Sequence, residues 1–350
     1  MPGLRVITPG MRTIVVDHGF RGGRGQGVPG CGALDRRGLA LLNGLLGNAS
    51  GMAALEWALV PPVLRAEGGA VRVAFGNGAV GEVRGTATRP VRAWEGITLA
   101  EGEELHLSAL PPVATGLVAV AGGPDVPVVL DSRSTMLPAG FGGVEGRVLR
   151  EGDLLPCLPA PAAGPSVLTP PPAPGGPIRI VAGPQTDAFA PEALSRLVSE
   201  PWRVTPQADR MGLRLEGPGL PFAPGQGPDI VSDGIVPGAM QVPGNGQPIL
   251  LLADAQTTGG YAKIACVIRA DLWRLAHVLP GADLRFDLVS VAEAEAAARH
   301  EAEVIAAALA TLRPAGGGVD LAAANLAGEA VDAARPDHFP GQIEGDNTCA

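Results

Sequence analysis

SDGIVPGAMQVPGNGQPILLLADAQTTGGYAKIACVI, residues 232–268, decides how the rest of the chain is read. The apolar run Ile249–Leu252 reads as a buried strand, and Lys263–Ile268 as another. Before the first of these runs stand Pro237-Gly238, Pro243-Gly244 and Pro248, which punctuate the segment too often for a helix. The same texture recurs in both directions. Upstream lie RTIVVD, AVRVAF, GLVAVAGG, GDLLPCL, IRIVAG and MGLRLEG, and downstream LRFDLV. With 51 glycines and 35 prolines in 350 residues, the composition favours many short strands joined by turns. The expected fold class is therefore mainly β, with two antiparallel β-barrel domains, few helices and a C-terminal helical tail.

A Pro-rich stretch, LPAPAAGPSVLTPPPAPGGP, reads as a semi-rigid linker over residues 158–177. It separates an N-terminal barrel domain (1–157) from a C-terminal one (178–290), followed by a tail (291–350) that is helical or partly disordered. Helices are expected over Ala33–Leu46, which ends at Gly47-Asn48, and over Pro191–Ser199, which opens on proline. A short one is expected at Ala270–Val278, and the Ala/Glu-rich run Val291–Leu312 has strong helical propensity.

Composition also excludes classes of function. A formal net charge of −9 disfavours nucleic-acid binding, which needs a basic footprint. No apolar run approaches the roughly 20 residues of a membrane helix. The N-terminus, MPGLRVITPG, shows no secretion signal, and Cys31, Cys157, Cys266 and Cys349 form no CxxC pair. Free thiols and a cytoplasmic location are the simplest expectation. There is no GxxxxGK[ST] loop, no HExxH and no zinc spacing, so no metal site is expected. His18, His106, His277, His300 and His338 are far apart in sequence. Gly25, Gly27 and Gly30 form a GxGxxG pattern, but Pro29 lies inside it and no parallel βαβ pattern surrounds it. A mobile loop, able to close over a site, fits better than a dinucleotide fold.

Three further segments carry polar groups suited to ligands. After Gly122-Gly123 comes Asp125, then Ser132-Arg133-Ser134-Thr135, where hydroxyls surround a guanidinium. From composition alone a polar turn, in which Ser and Thr cap backbone groups, is the favoured reading. Asp209 and Arg210 precede a strand and read first as an ordinary strand-entry turn. In the opening segment, Asp254, Gln256, Thr257, Thr258, Gly259, Gly260, Tyr261 and Lys263 follow a strand in quick succession. The glycines permit close approach of backbone N–H groups, and Gln and Thr can meet both sides of an amide. Lys263 is the only lysine in the chain, where arginine supplies the rest of the positive charge. A β-hairpin with a Gly-Gly turn and a snorkelling lysine is the alternative.

Taken together, these motifs resemble the biotin-dependent carboxyltransferase family, also called allophanate hydrolase subunit 2. The matching series runs Asp17-His18-Gly19, GVPGCGALD (27–35), Gly47-Asn48, Leu55-Glu56, GGPDVPVVLDSRST, DRMGLRL, SDGIVPGAMQVP and ADAQTTGGYAKIA. It covers roughly Val6 to Val291. The family includes the C-type component of 5-oxoprolinase, a Kip-type antagonist of a sporulation kinase inhibitor, and the carboxyltransferase region of urea carboxylase. Four positions depart from its pattern: Cys31 for Ser, Phe20 for Arg, Ala255 for Arg and Ala262 for Pro.

The resemblance implies two cyclophilin-like barrels with a cleft between them, a cyclophilin-like B subunit and an A subunit of the lactam-utilisation type. It implies ring opening of 5-oxoproline, a small lactam, to glutamate, with ATP as co-substrate of the complex. Biotin enters only under the alternative reading, carboxyl transfer to urea or another amide. A non-catalytic regulator that binds a kinase inhibitor is the remaining alternative. Under the first reading Lys263 stabilises charge, while Gln241, Gln256, Thr257 and Thr258 orient the substrate. Gly259 and Gly260 offer N–H groups, and Tyr261 positions or relays a proton. Asp125, Ser132, Arg133, Asp209 and Arg210 are further candidates.

Overall fold

The computed structural model describes residues 1–76, 79–109, 114–161 and 166–314. The chain after residue 314, with His338, Cys349 and the far part of the expected tail, lies outside the described residues.

Strict alternation builds the N-terminal half. Along the strand Arg12–Val16, Val15 enters the core between two sheets, while Ile14 and Val16 face the helix Arg36–Leu45, here α1. Thr115–Val120 behaves likewise, with Val118 and Val120 inward and Leu117 and Ala119 toward α1. One antiparallel sheet runs Leu154–Pro156, Gly3–Thr8, Val63–Glu67, Glu104–Ala109, Ala79–Arg84, Thr88–Val91. The other runs Arg12–Val16, Ala54–Ala58, Thr115–Val120, Val71–Phe75, Ile97–Leu99. Leu4, Leu55, Trp57, Leu64, Phe75 and Leu105 fill the space between them.

The C-terminal half is built on an eight-stranded sheet. Its order is Asp283–Leu284, Trp202–Ala208, Gly212–Glu216, Ile249–Leu251, Ala239–Gln241, Lys263–Val267, Ile178–Ala182, Phe286–Leu288. The first and last of these strands are separated in sequence by Arg285 alone. The sheet must therefore curl until its two edges almost meet, which makes a nearly closed barrel. Its interior holds Ile180, Trp202, Val204, Leu215, Met240, Leu250 and Ile264. The helix Pro191–Ser199, α2, packs Ala193 and Leu197 into the same core.

The mainly β architecture with few helices is thus the one the Gly/Pro texture predicts. Local capping shifts the expected helix at Ala33–Leu46. It starts at Arg36 because Asp35 is its N-cap and accepts a hydrogen bond from the Gly38 N–H at 2.7 Å. The run expected at Ala270–Val278 forms a 3-10 helix, Arg269–His277. The helix Val291–Ala310, α3, opens with a Ser290/Glu293 capping box and lies against α1 through Leu309 and Gly44. No helix among the described residues is long and apolar enough to cross a membrane.

A two-stranded arm, Asp229–Gly234 paired with Thr258–Tyr261, stands apart from the large sheet. Gly259 and Gly260 therefore lie inside a strand, not at a hairpin turn. The chain leaves the arm at Ala262 and enters the barrel at Lys263.

Candidate functional site

Lys263 begins a core strand, and its Cα partner on the neighbouring strand is Gln241. Cross-strand partners point to the same face of a sheet. Both side chains are buried, Lys263 at 3% and Gln241 at 2% exposure. A buried ammonium needs a counter-ion and hydrogen bonds. Lys263 Nζ donates to Asp233 Oδ2 at 2.9 Å, and Asp233, on the arm, is half-exposed. Gln185 joins the two. Its Nε2 donates to the same Asp233 Oδ2 at 3.3 Å, and its Oε1 accepts the Lys263 backbone N–H at 3.2 Å. The ammonium, the Gly234 N–H and Gln185 hold the Asp233 carboxyl below its ordinary range.

Gln241 Nε2 is buried without a hydrogen-bond partner among the described residues. It lies under Gly259, where an added Cβ would stand 2.5 Å from Gln241 Nε2 and 2.5 Å from Ile235 Cδ1. The glycine is thus required by the close approach of arm and barrel. An unpaired buried donor costs about 1–3 kcal/mol, which a ligand oxygen would recover. The ammonium and this amide form an electropositive floor beneath the arm, suited to a carbonyl that gains negative charge.

The Gly-rich loop reaches this region. The Arg24 guanidinium donates to the Ile235 carbonyl, beside the Thr257 carbonyl that accepts the Ile235 N–H at 2.9 Å. Gly25 and Gly27 fall on and after a single 3-10 turn, Arg24–Gln26, with no βα unit following.

The structure brings Lys263, Gln241 and Gly259 together. Gln256, Thr258 and Tyr261 are exposed, and Thr257 and Gly260 partly so, all on or beside the arm. The other candidates lie elsewhere. Arg210, 2% exposed, spends its guanidinium inside the protein. It binds Asp254 through two donors at 2.9 and 2.8 Å, pairs with Glu56 of the N-terminal half, and donates to the Gly32 carbonyl at 2.8 Å. Burial alone would weaken its charge, yet Glu56 and Asp254 raise its pKa further. This is a staple between the halves. Asp209 Oδ1 closes a turn by accepting the Met211 and Gly212 N–H groups at 2.8 and 3.1 Å. Ser132 Oγ donates to Asp17 Oδ1 at 2.6 Å, and Arg133 contributes its backbone N–H to Asp17 Oδ2 at 2.6 Å. The Ser132–Arg133 turn therefore anchors the Asp17-His18-Gly19 corner. Asp125 is exposed, and its N–H bonds the Pro156 carbonyl at 2.7 Å. None of these hydrogen bonds links Asp125, Ser132, Arg133, Asp209 or Arg210 to the Lys263 floor.

Residues 26–288 match the family model described as carboxyltransferase domain, subdomain A and B. The chain belongs to this carboxyltransferase family. It is similar to the C-type component of 5-oxoprolinase from Escherichia coli (strain K12), 37% identical over 298 residues that cover 83% of this chain and 93% of that one. The Haemophilus influenzae protein of the same name is 35% identical over 290 residues, 81% of this chain and 90% of that one. Among solved structures, the chain resembles the K. lactis urea amidolyase with a TM-score of 0.79 and 27% identity, over 87% of this chain and 20% of that chain.

The departures from the carboxyltransferase pattern have local accommodations. Phe20 is buried and meets Phe141, ring centroids 5.2 Å apart, in a small cluster with Cys31 and Met136. Cys31 is in the left-handed region at φ 48°, and its N–H bonds the Ala253 carbonyl across the seam at 3.1 Å. Burial pushes its thiol pKa up, with Asp254 adding to the shift. Ala255 packs with Ile235, Ala239 and Leu251, where no charge could be accommodated unpaired. Ala262 donates its N–H to the Pro228 carbonyl at 2.8 Å, a bond that proline could not make. Asp233 and Gln185 are the site residues that motif reading missed. Only the Ser232-Asp233-Gly234 motif signalled the first, and nothing local signalled the second.

Proposed function

We propose that this chain is the C-type component of an ATP-dependent 5-oxoprolinase. It works with a cyclophilin-like B subunit and a lactam-utilisation-type A subunit in the cytoplasm to open 5-oxoproline to glutamate. The observation that carries the reading is near full-length similarity, over 93% of the Escherichia coli 5-oxoprolinase component. The urea amidolyase match covers only 20% of that much longer chain.

The site chemistry suits a lactam. Its amide is cis and unreactive, so the oxygen must first become part of a leaving group. Transfer of the ATP γ-phosphoryl to the lactam oxygen gives a phosphorylated imidate and ADP. Water then adds to the ring carbon, the C–N bond breaks, nitrogen takes a proton, and glutamyl phosphate results. A second water releases phosphate and leaves glutamate. Lys263 Nζ and Gln241 Nε2 offset the charge that develops on the oxygen. The Gly259 and Gly260 backbone lets the ring approach closely, while Gln256, Thr257, Thr258 and Tyr261 form the movable wall that orients it.

Carboxyl transfer from carboxybiotin is the second reading, favoured by the structural likeness to urea amidolyase. A biotin ureido ring is also a cis-amide and fits the same floor. It would have to arrive on another protein, because Lys263, the sole lysine, is buried and ion-paired.

The test is turnover by the complex of this chain with A and B subunits. Replacing Lys263 by Met is expected to lower ATP-dependent glutamate release by about 10²–10³-fold, the usual loss for one charge-stabilising donor. Unchanged turnover in Lys263→Met would overturn the reading.

A further inference from the structure

The ion pair at the site joins two groups held in very different ways. Lys263 is fixed in the eight-stranded barrel and is almost wholly buried. Asp233 rides on the arm, whose two strands form their own sheet, and its side chain is 52% exposed. Along Asp229–Gly234 only Ile230 is even partly covered. A two-stranded ribbon is marginally stable by itself, so this arm can lift from the barrel far more cheaply than Lys263 can leave it.

The position of Asp233 Oδ2 is a ready-made oxygen site. It receives Lys263 Nζ at 2.9 Å and Gln185 Nε2 at 3.3 Å. Gln185 is itself fixed by the Lys263 backbone, since its N–H bonds the Lys263 carbonyl at 3.3 Å while its Oε1 takes the Lys263 N–H. Both donors therefore belong to the rigid side, and only the acceptor belongs to the arm. Stripping a buried ammonium of its counter-ion is strongly unfavourable, so Asp233 leaves readily only in exchange for another anionic oxygen.

We propose that Asp233 is a displaceable counter-ion. Its carboxylate holds the place on Lys263 and Gln185 that an anionic oxygen of the substrate takes, and the arm lifts as the exchange occurs. Asp233 and Gln185 are then positioning residues, and the ligand class is a small carboxylate or oxyanion carried next to an amide. The exchange deepens the 5-oxoprolinase reading for the choice of substrate, but the latch itself is independent of it.

Because Lys263 is the only lysine, an amine-acylating reagent reports on it alone, with the N-terminal amine as internal reference. The full chain, with Asp233 replaced by Asn, by Ser or by Glu, is acylated and the Lys263 peptide quantified by mass spectrometry. The half-exposed Asp233 tolerates such changes, and Asp233→Ser guards against a defect peculiar to Asn. Relative to the N-terminus, Asp233→Asn and Asp233→Ser are expected to acylate Lys263 about tenfold faster or more, as the arm opens. Asp233→Glu is expected to keep the slow rate, and 5-oxoproline to slow acylation of Asp233→Asn. Equal rates in the native chain and both neutral variants would overturn the proposal, as would acylation of Asp233→Asn that 5-oxoproline, glutamate and inorganic phosphate all leave unchanged. Fast acylation slowed by phosphate alone, together with no ATP-dependent turnover, would support the exchange and count against the 5-oxoprolinase reading.

Discussion

At the scale of single residues the site depends on where Cβ atoms are absent. An alanine at 259 would press its Cβ on Gln241 Nε2 and Ile235 Cδ1, both 2.5 Å away. Gly259→Ala is expected to lower turnover of the complex about 10- to 100-fold through displacement of the amide floor. Stability is expected to fall by about 1–3 kcal/mol, the usual cost of overpacking a filled space, because Gln241 and Ile235 are both buried. Steady-state kinetics beside a denaturant titration checks both halves of that statement. Lys263 was legible in the sequence because it is the only lysine and closes a run of polar residues. Its partners were not, because Asp233 and Gln185 come from 30 and 78 residues away, and only the fold sets them against the ammonium. Ser132 and Arg210 show the opposite limit. A hydroxyl or guanidinium has the same local signature whether it waits for a ligand or binds Asp17 or Glu56 inside the protein.

At the scale of elements the seam between the halves is organised around α1 and the strand entries beside it. Arg210 with Glu56 and Asp254 is a wholly buried charge cluster that crosses this seam. Removing Glu56 strips the acceptor from one buried Arg210 donor and from the Leu34 N–H. Glu56→Ala is expected to destabilise the chain by about 3–5 kcal/mol, read as a lower denaturation midpoint. Asp35 caps α1 with one oxygen and meets His277 Nε2 at 3.0 Å with the other. Burial alone would lower the His277 pKa, but the hydrogen bond and charge of Asp35 outweigh it and raise the value above the ordinary histidine range. The folded pKa exceeds the unfolded one. This contact therefore stabilises fully below about pH 6.5 and fades as pH rises through the raised folded value. Thermal melts from pH 6 to 9, roughly the span around an ordinary histidine pKa, should show that decline in the native chain and lack it in His277→Gln. Arg37 adds a third contact, its guanidinium 4.6 Å from the centroid of the Trp273 ring. Helix positions were readable from propensity and stop signals, whereas the start of α1 depended on a cap whose second oxygen is claimed by the other half.

At the scale of the whole molecule, short alternating strands and frequent glycine and proline announced a β protein, and sheet closure explains why so little helix is needed. The edges of the C-terminal barrel are brought together by strands separated by Arg285 alone, a topology that no local pattern could reveal. The Pro-rich segment serves as more than a spacer, since Arg37 donates to the Pro171 and Pro172 carbonyls at 3.0 and 3.2 Å and ties it to α1. The most direct measurement is glutamate formed from 5-oxoproline by this chain combined with A and B subunits, with and without ATP. The predicted result is glutamate release that requires ATP and all three subunits, matched by ADP and phosphate. Absence of that turnover, with transfer of a carboxyl group from carboxybiotin to urea by the same preparation, would contradict it.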